Sequence, residues 1–357
     1  GAARLVPAAQ ANEGPMRQGE HDPVLTETID KARDSAEEFR RTHSAIRTEI
    51  GRMMVGQGDV IDGALTAILA GGHVLLEGVP GLGKTMLISS ISRALHLPFS
   101  RIQFTPDMMP ADIVGTSMLT ETADGGTELS FQEGPIVANL VLADEINRAT
   151  PKTQSALLEV MQEQQVTVGR RTIKMPQPFC VMATQNPVDQ EGTYPLPEAQ
   201  LDRFLMKLKV GYPTEEDYHT IIARTTGEEV VDLHPVSDGD TLNRMRQVVR
   251  QVPVPDFARS YAIRLVMATQ PGNSYAPKEI ADYVDLGASP RGIQALMLSA
   301  KVVALLDGRF AVACEDVAHV AHPVLRHRIV TNFHAQADKV DGDTIVDAIL
   351  KAVKQPS

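Results

Sequence analysis

The sequence of 357 residues predicts a parallel α/β domain followed by a smaller, all-helical domain. Between residues 73 and 210, short apolar runs typical of buried strands alternate with segments of helical periodicity. After Thr214 the strand patterns stop, and only helical segments follow. Because strands that alternate with helices pair in parallel, we expect one sheet flanked by helices and a separate helical unit after it.

The elements are predicted in chain order from apolar spacing and from turn residues. Strands are expected at residues 73–77, 99–104, 140–143, 179–183 and 205–210. In the first half of the chain, helices are expected at 26–53 (one or two), 59–70, 85–94, 107–113 after a turn, from 134 onward and at 150–164. Alternating residues around turns predict hairpins at 116–131 and 165–175. The helical unit is expected to contain helices at 215–226, 240–251, 256–270, 289–306, 314–330 and 341–353.

The turn after the first strand matches the phosphate-binding pattern G-x-x-x-x-G-K-[ST]. Its residues are Gly78, Val79, Pro80, Gly81, Leu82, Gly83, Lys84 and Thr85, and Met86 follows them at the start of a helix. Glycines let consecutive N–H groups converge on an anion, to which the helix N-terminus adds partial positive charge. We therefore expect Lys84 to contact the β- and γ-phosphates of a nucleotide and Thr85 to be a ligand of Mg²⁺.

Two further strands end in polar residues that suit hydrolysis of a nucleotide. Asp144 and Glu145 follow the strand at 140–143, at the sheet edge where open α/β folds bind ligands. Asp144 is expected to hold Mg²⁺ and Glu145 to polarise the attacking water. Asn186 follows the next strand, where its amide could bind the γ-phosphate and that water, although an Asn before Pro is also a common turn. The guanine-recognition pattern Asn-Lys-x-Asp is absent, so ATP is expected rather than GTP.

Composition limits the other classes of function. The formal net charge is -11 and aromatic residues make up 4% of the chain, which disfavours nonspecific binding of nucleic acid. No apolar run reaches the length of a membrane span, and we expect a cytoplasmic protein. Cys180 and Cys314 form no disulfide framework. No pattern of cysteine or carboxylate residues at metal-ligand spacing accompanies His319, His322 and His327, so a metal site is not expected there.

Five stretches together resemble the MoxR family of AAA+ ATPases, in the clade with an insert in helix 2. They cover most of residues 55–330 and read GGHVLLEGVPG (71–81), DEINRA (144–149), QSALLEVMQE (154–163), ATQNP (183–187) and LPEAQLDRF (196–204). Many relatives carry Ala at the position of Gly83, but Gly is the general residue of phosphate loops.

The resemblance also implies roles for residues outside the phosphate loop. It places Asn186 between the phosphate loop and Asp144 as sensor 1, and it makes Arg203 the arginine finger that enters the neighbouring subunit's site. Arg291, at the start of a lid helix, matches sensor 2. The segment Val55, Gly56 and Gln57 matches the lining of the adenine pocket. The alternative to a finger role for Arg203 is an ordinary surface ion pair with Asp202. Arg148 is a second candidate finger.

The domains are then expected as a mobile tail (1–23), an N-terminal helical segment (24–53), an AAA+ nucleotide-binding domain (54–212), a helical lid (213–335) and a C-terminal helix with its tail (336–357). In relatives, hairpins such as those predicted here face a central pore. Alternatively, the two hairpins are ribbons at the edge of the domain that take no part in function. Arg170, Arg171 and Lys174 make the second hairpin basic, which would suit an acidic partner or a solvated ribbon equally well.

The resemblance implies a hexameric, Mg²⁺-dependent ATPase that remodels or matures a protein client, with a partner that carries a von Willebrand factor A domain and with metal-cofactor insertion as one role. One alternative is a DNA-acting AAA+ motor or loader, which salt-sensitive DNA binding or DNA-stimulated hydrolysis would reveal. Another is an ATP-responsive scaffold that hydrolyses weakly. Turnover measured at high protein concentration separates that scaffold from an ATPase.

Overall fold

The computed structural model describes residues 23–121, 126–169, 171–186, 192–227 and 231–355. The predicted tail, apart from Pro23, and the hairpin residue Arg170 lie outside these ranges. The strands are β1 (Val74–Glu77), β2 (Phe99–Gln103), β3 (Gly115–Glu121), β4 (Thr127–Glu133), β5 (Leu140–Asp144), β6 (Gln165–Val168), β7 (Arg171–Lys174), β8 (Cys180–Gln185), β9 (Met206–Lys209), β10 (Val284–Leu286) and β11 (Val330–Thr331).

Fifteen α-helices are described in the same ranges of the chain. They are α1 (Pro23–Met53), α2 (Gly58–Ala70), α3 (Lys84–Ala94), α4 (Pro110–Val114), α5 (Pro151–Glu163), α6 (Glu198–Leu201), α7 (Glu215–Thr226), α8 (Gly239–Gln251), α9 (Asp256–Ala268), α10 (Lys278–Ala281), α11 (Pro290–Leu306), α12 (Cys314–His319), α13 (Ala321–Leu325), α14 (Phe333–Ala337) and α15 (Gly342–Ala352).

Five parallel strands form the central sheet in the order β2-β5-β8-β1-β9. The predicted parallel sheet with flanking helices is therefore confirmed. β8 lies between β1 and β5, which brings the ends of three strands to one edge of the sheet. The phosphate loop, Asp144 and Asn186 all follow strands at that edge.

Successive residues of the buried strands enter two different cores, one on each face of the sheet. Val74 and Leu76 belong to the larger core, whereas Leu75 between them belongs to the smaller one. The larger core includes buried residues of α1, α2, α3 and the helical unit, and the smaller one includes those of α5. Because the larger core continues into the helical unit, that unit packs directly against the first domain rather than on a linker.

The helical unit differs in one detail from an all-helical domain. β10 and β11 form a short antiparallel ribbon, although residue 330 was expected at the end of a helix from 314 to 330. In place of that helix the chain forms α12, α13 and β11. Pro323 has no N–H to donate to the carbonyl of His319, so one continuous helix cannot pass this point.

A second expectation was wrong at Gly134 and Pro135, where no helix begins. Residues 134–139 form a loop that joins β4 to β5. The loop bonds to the end of α4, since Ile136 N donates to Ile113 O over 3.2 Å. A Cβ on Gly134 would overlap the Ile113 carbonyl, so glycine permits this close approach. The neighbouring structure thus outweighs the helix-starting tendency of proline.

Both predicted hairpins are present. β3 pairs antiparallel with β4 and β6 with β7, away from the central sheet. Both Cys180 and Cys314 are buried free thiols. In the described part of the chain, no helix combines the length and the apolar character that crossing a bilayer requires.

Candidate functional site

The phosphate loop joins β1 to α3 and is shaped by glycines at positive φ. Gly81 has φ +85° and Gly83, the N-cap of α3, has φ +77°. A Cβ on Gly78 would lie 2.7 Å from the carbonyl oxygen of Val210, so this position requires glycine for packing. The resulting turn leaves the N-terminus of the eleven-residue helix α3 open toward the sheet edge. This is a geometry that binds anions.

Lys84 lies at the first position of α3, and its side chain bends back over the loop. Its Nζ donates to Val79 O over 3.2 Å and also to Gly78 O. Burial lowers the pKa of Lys84, while Asp144 and Glu145 act in the opposite direction. Those carboxylates oppose the effect of burial because they stabilise the charged ammonium group.

Thr184, near the end of β8, bonds to both acidic residues at the end of β5. Its Oγ1 donates to Asp144 Oδ1 over 2.6 Å and accepts from Glu145 N over 2.8 Å. Glu145 has φ +56°, an uncommon backbone conformation for this residue type. These bonds orient the Asp144 carboxylate and hold the backbone at Glu145.

Asp144 and Glu145 form the acidic edge of the sheet. Two polar residues of β2, which the sequence analysis did not single out, bond to it. Arg101 Nη2 donates to Asp144 Oδ2 over 2.7 Å, and Gln103 Nε2 donates to Glu145 Oε2 over 3.0 Å. Arg148 Nη1 donates to the same Glu145 oxygen over 3.1 Å, which places this second candidate finger on its own chain's site. Alternate polar residues at the carboxyl end of a strand were the signal available for Arg101 and Gln103.

An open cavity of about 390 Å³ brings most of the predicted catalytic residues together. Lys84, Asp144, Glu145 and Asn186 face the same space. The cavity is lined by Pro80, Gly81, Gly83, Lys84, Thr85, Met86, Arg101, Gln103, Asp144, Glu145, Thr184 and Asn186. A positive helix end, an ammonium group and two carboxylates at one place suit a phosphate chain that carries a cation.

A second cavity of about 410 Å³ adjoins the first, because both are lined by Gly81, Gly83 and Met86. It is largely apolar. Its lining is completed by Met53, Met54, Val55, Gln57, Leu82, Pro213, Tyr218, Ile221, Arg224, Thr225, Gly227 and Val231. Val55 and Gln57, predicted to line an adenine pocket, are therefore placed there. The residues from α7 were not predicted from the sequence.

The segment 55–57 is held against the start of α7. Gln57 Nε2 donates to Gly211 O over 3.0 Å. Gly56 has φ +70°, and a Cβ there would overlap the Asp217 carboxylate. Glycine therefore lets the chain turn beneath α7 and present Val55 to the second cavity.

The residues around Asp144 fit a magnesium ion by their chemistry. Thr85 and Asp144 line the same cavity and offer a hydroxyl and a carboxylate oxygen, the kind of ligand that Mg²⁺ prefers. Thr184 donates to one Asp144 oxygen and Arg101 to the other, so both carboxylate oxygens face polar partners rather than apolar walls. Among the described residues, which include His319, His322 and His327, no three or more His, Cys, Asp or Glu side chains cluster as metal ligands.

Two predicted residues, Arg203 and Arg291, do not line either cavity. Arg203 Nη1 donates to Leu158 O over 2.9 Å. The Arg291 side chain is 48% exposed, and its Nη1 lies 3.9 Å from Asp202 Oδ2. The Arg203 side chain thus contacts α5 and the Arg291 side chain approaches Asp202, and neither reaches the phosphate loop of its own chain.

Comparison with known proteins finds two matching family models. The model described as "ATPase family associated with various cellular activities (AAA)" matches residues 73–206, and an AAA lid domain matches residues 278–349. The first match contains the phosphate loop and the acidic edge. The second contains the start of α11 and most of α15.

Similar chains extend over nearly the whole protein. Chaperone MoxR1 of Mycobacterium tuberculosis is 44% identical over 308 residues, which are 86% of this chain and 81% of that protein. Protein MoxR of Paracoccus denitrificans is 31% identical over 322 residues, 84% of this chain and 91% of the relative. The crystal structure of a candidate ATPase from Cytophaga hutchinsonii superposes with a TM-score of 0.86 at 38% identity, covering 92% of this chain and 99% of that one.

Proposed function

The chain belongs to the MoxR family of AAA+ ATPases, and we propose that it couples Mg²⁺-dependent hydrolysis of ATP to the remodelling or maturation of a protein client. ATP hydrolysis is the activity of this family. The observation that supports the residue assignment is the pair of adjoining cavities, one charged and one largely apolar. A triphosphate with an attached adenosine has the same division into a charged and a less polar part.

In this proposal the phosphate loop binds the triphosphate. The N–H groups at the start of α3 and the Lys84 ammonium group stabilise the negative charge of the β- and γ-phosphates. Thr85 and Asp144 would hold Mg²⁺, which when bound neutralises charge on the phosphate oxygens. Val55, Gln57 and the facing residues of α7 would enclose the adenine ring.

Glu145 and Asn186 then act on the attacking water. Glu145 would accept hydrogen bonding from the water and orient it, because the carboxylate faces the same cavity as Lys84. In the described structure Gln103 and Arg148 both donate to Glu145 Oε2. If Oε2 is the oxygen that binds the water, one of these two bonds opens first.

Arg203 is proposed to complete the site of a neighbouring subunit. It does not line the cavities of its own chain, yet its guanidinium has the planar fork of donors that stabilises charge on a transferring phosphoryl group. A finger supplied across a subunit boundary makes hydrolysis depend on assembly. A hexamer is the assembly that the family resemblance implies.

The client side of the proposal rests on the family resemblance. One relative is called a chaperone, and the partner that the resemblance implies is a protein with a von Willebrand factor A domain. Insertion of a metal cofactor into an enzyme complex is one form that such maturation could take. Release of energy at the subunit boundary would move the lid and the hairpins relative to the sheet.

Substitutions at Lys84 and Glu145 separate binding of ATP from its hydrolysis. Lys84→Ala removes the charge that faces the phosphates, so we expect ATP affinity to fall roughly tenfold or more. Glu145→Gln keeps the size of the side chain but removes the carboxylate, so it should retain ATP and lose about 10²- to 10⁴-fold in turnover. Binding of a fluorescent ATP analogue and release of phosphate measure the two effects. Full turnover by Glu145→Gln would remove Glu145 from the mechanism.

Arg203→Ala tests the residue assigned to the neighbouring site. We expect ATP affinity within about threefold of wild type and a loss of about 10³-fold or more in turnover, because a finger acts on the transition state. Arg259→Ala, which removes an exposed arginine of α9, is the control. Normal hydrolysis by Arg203→Ala would show that this side chain is not the finger.

The client can be sought with the Glu145→Gln variant, which we expect to remain assembled around bound ATP. Proteins that co-purify with Glu145→Gln but not with Lys84→Ala depend on the nucleotide-bound state. Recovery of a von Willebrand factor A protein would support the proposed partner. Salt-sensitive recovery of DNA, with DNA-stimulated hydrolysis, would instead favour a DNA-acting motor.

A further inference from the structure

Arg328, a buried arginine of the lid, bonds to the segment that carries Arg203. It follows α13 and is 6% exposed. Its Nε donates to Asp202 Oδ1 over 2.8 Å, and its Nη2 donates to Phe204 O over 2.7 Å. Longer bonds of 3.3 and 3.2 Å reach the carbonyl oxygens of Asp202 and Leu205. One guanidinium therefore holds the backbone on both sides of Arg203.

Asp202 has a second partner on the lid. Ser289 Oγ donates to Asp202 Oδ2 over 2.8 Å and accepts from Arg291 N over 3.1 Å at the start of α11. The two oxygens of the Asp202 carboxylate thus bond to two different parts of the helical unit. A shift of either part would pull on the residue next to Arg203.

Arg328 packs against the first turn of α11. A Cβ on Gly292 would lie 3.4 Å from Arg328 Cδ, an ordinary van der Waals distance, so the arginine stem runs directly beside this turn. Burial lowers the pKa of Arg328 to about 10, and the Asp202 carboxylate counteracts this effect. The side chain therefore remains charged at neutral pH.

Buried ion pairs add little net stability compared with apolar packing, whereas a bidentate arginine fixes orientation well. The Arg328 guanidinium bonds to the Asp202 segment on one side, and on the other its Nη1 donates to Val324 O and lies 2.9 Å from His327 Nε2 within the lid. The side chain does not line either nucleotide cavity. Its bonds thus join the lid to the segment bearing the proposed finger, away from the phosphate loop of its own chain.

We propose that Arg328 is a positioning residue for the reaction in the neighbouring subunit: it couples the position of the lid to the placement of Arg203. This inference rests on the proposed role of Arg203 in that site. Movement of the lid in one subunit would then change hydrolysis in the next one, through a single buried side chain and the carboxylate of Asp202.

Arg328→Lys tests the coupling because lysine keeps the charge but has a single nitrogen instead of a fork. We expect a loss of at least about tenfold in kcat, with KM for ATP within about threefold of wild type, since the chain's own cavities are untouched. Arg326→Lys is the matched control. Arg326 lies two residues away in the lid and bonds to Asp343 and to Lys207 O, not to the Asp202 segment. It should keep wild-type kcat.

Mixing subunits distinguishes a role in the neighbouring site from a general structural role. Glu145→Gln subunits are expected to hydrolyse ATP very slowly, but they carry an intact Arg203 and Arg328. In an equal mixture with Arg328→Lys, about one quarter of the sites pair an intact Glu145 with an intact finger from the neighbour. We therefore expect turnover well above the mean of the two separate preparations. Asp202→Asn, which keeps the shape of the partner, is the second variant and should behave in the same way.

The outcomes separate this inference from the proposed finger. If Arg203→Ala recovers on mixing with Glu145→Gln but Arg328→Lys and Asp202→Asn do not, Arg328 acts within its own subunit and the inference is wrong. If ATP affinity falls together with kcat, the arginine merely holds the lid in place, and the inference is also wrong. Failure of Arg203→Ala itself to recover would contradict the proposed function.

Discussion

At the scale of single residues, His73 shows how one neutral side chain can join three elements, at the opposite end of β1 from the phosphate loop. Its Nδ1 accepts from Val181 N over 3.0 Å, and its Nε2 lies 3.0 Å from Met161 O. An N–H and a carbonyl at the two ring nitrogens define one neutral tautomer, with the proton on Nε2. The ring also meets Phe179 edge to face, with centroids 5.6 Å apart. A second proton would face the Val181 N–H and break the first bond.

His73 should make the protein less stable as the pH falls. Burial lowers its pKa to about 4, below the ordinary value of 6.5. The unfolded state therefore takes up the proton first, and the stabilisation present above pH 6.5 is lost as the pH falls toward 4. The slope is at most about 1.4 kcal/mol per pH unit. We expect His73→Leu to have a lower free energy of unfolding at pH 7 and a shallower decline between pH 7 and 5.

Urea unfolding at several pH values measures the difference between the two curves. His219→Leu is the control, because it removes an exposed histidine of α7 without removing a buried hydrogen bond. Parallel curves for the wild type and His73→Leu would show that His73 is not kept neutral by the fold.

Residue patterns predicted some of the site and missed the rest for a physical reason. Asp144, Glu145 and Asn186 lie at the ends of strands, and Lys84 lies directly after the turn that follows β1, so their common edge could be inferred from the chain alone. Arg101 and Gln103 act across strands, and their importance depends on β2 lying next to β5. Arg328 and Asp202 are 126 residues apart in the chain. No local pattern indicates a contact over that distance.

At the scale of elements, too, local patterns could be predicted, whereas features that depend on contacts elsewhere in the chain were missed. Apolar runs predicted the five sheet strands because buried parallel strands need little else. The loop at 134–139 and the break between α12 and α13 were missed. The first depends on a close approach to the Ile113 carbonyl, and the second depends on Pro323 within an otherwise helical pattern. The β10–β11 ribbon has only short strands, which give too few residues for alternation to be recognised.

α7 is the element whose stability should respond most to nucleotide. None of its residues is buried, although Tyr218, Ile221 and Arg224 line the second cavity. Thr214 and Asp217 cap its N-terminus, and Arg224 donates to Arg52 O over 2.6 Å. A helix held mainly by its ends should open readily, because helix stability in proteins comes largely from a packed face.

Hydrogen exchange can test whether the adenine ring binds beneath α7. With Mg²⁺ and a non-hydrolysable ATP analogue, we expect amide exchange in α7 to slow by about tenfold or more, since the base would cover its inner face. α9, which has six buried residues, is the internal control and should change little. Unchanged exchange in α7 on saturation with the analogue would place the base elsewhere.

At the scale of the whole molecule, the two domains share one core. Buried residues of α1, α2 and the sheet continue into α11 and α12 without interruption. Movement between the domains therefore has to slide packed helices past one another rather than swing on a free hinge. Small displacements suit the proposed coupling, because Arg328 would transmit a shift of the lid to Arg203 over bonds of about 3 Å.

Assembly should then set the rate of hydrolysis. Both nucleotide cavities are formed within one chain, so ATP should still bind to dilute subunits. Turnover per subunit should fall by about 10³-fold or more on dilution below the assembly concentration, because each site loses the arginine supplied by its neighbour. Phosphate release and sedimentation, measured over the same range of protein concentration, should change together. Arg203→Ala should show low turnover throughout the range. Monomers that hydrolyse ATP at a rate independent of dilution would show that every catalytic group comes from a single chain.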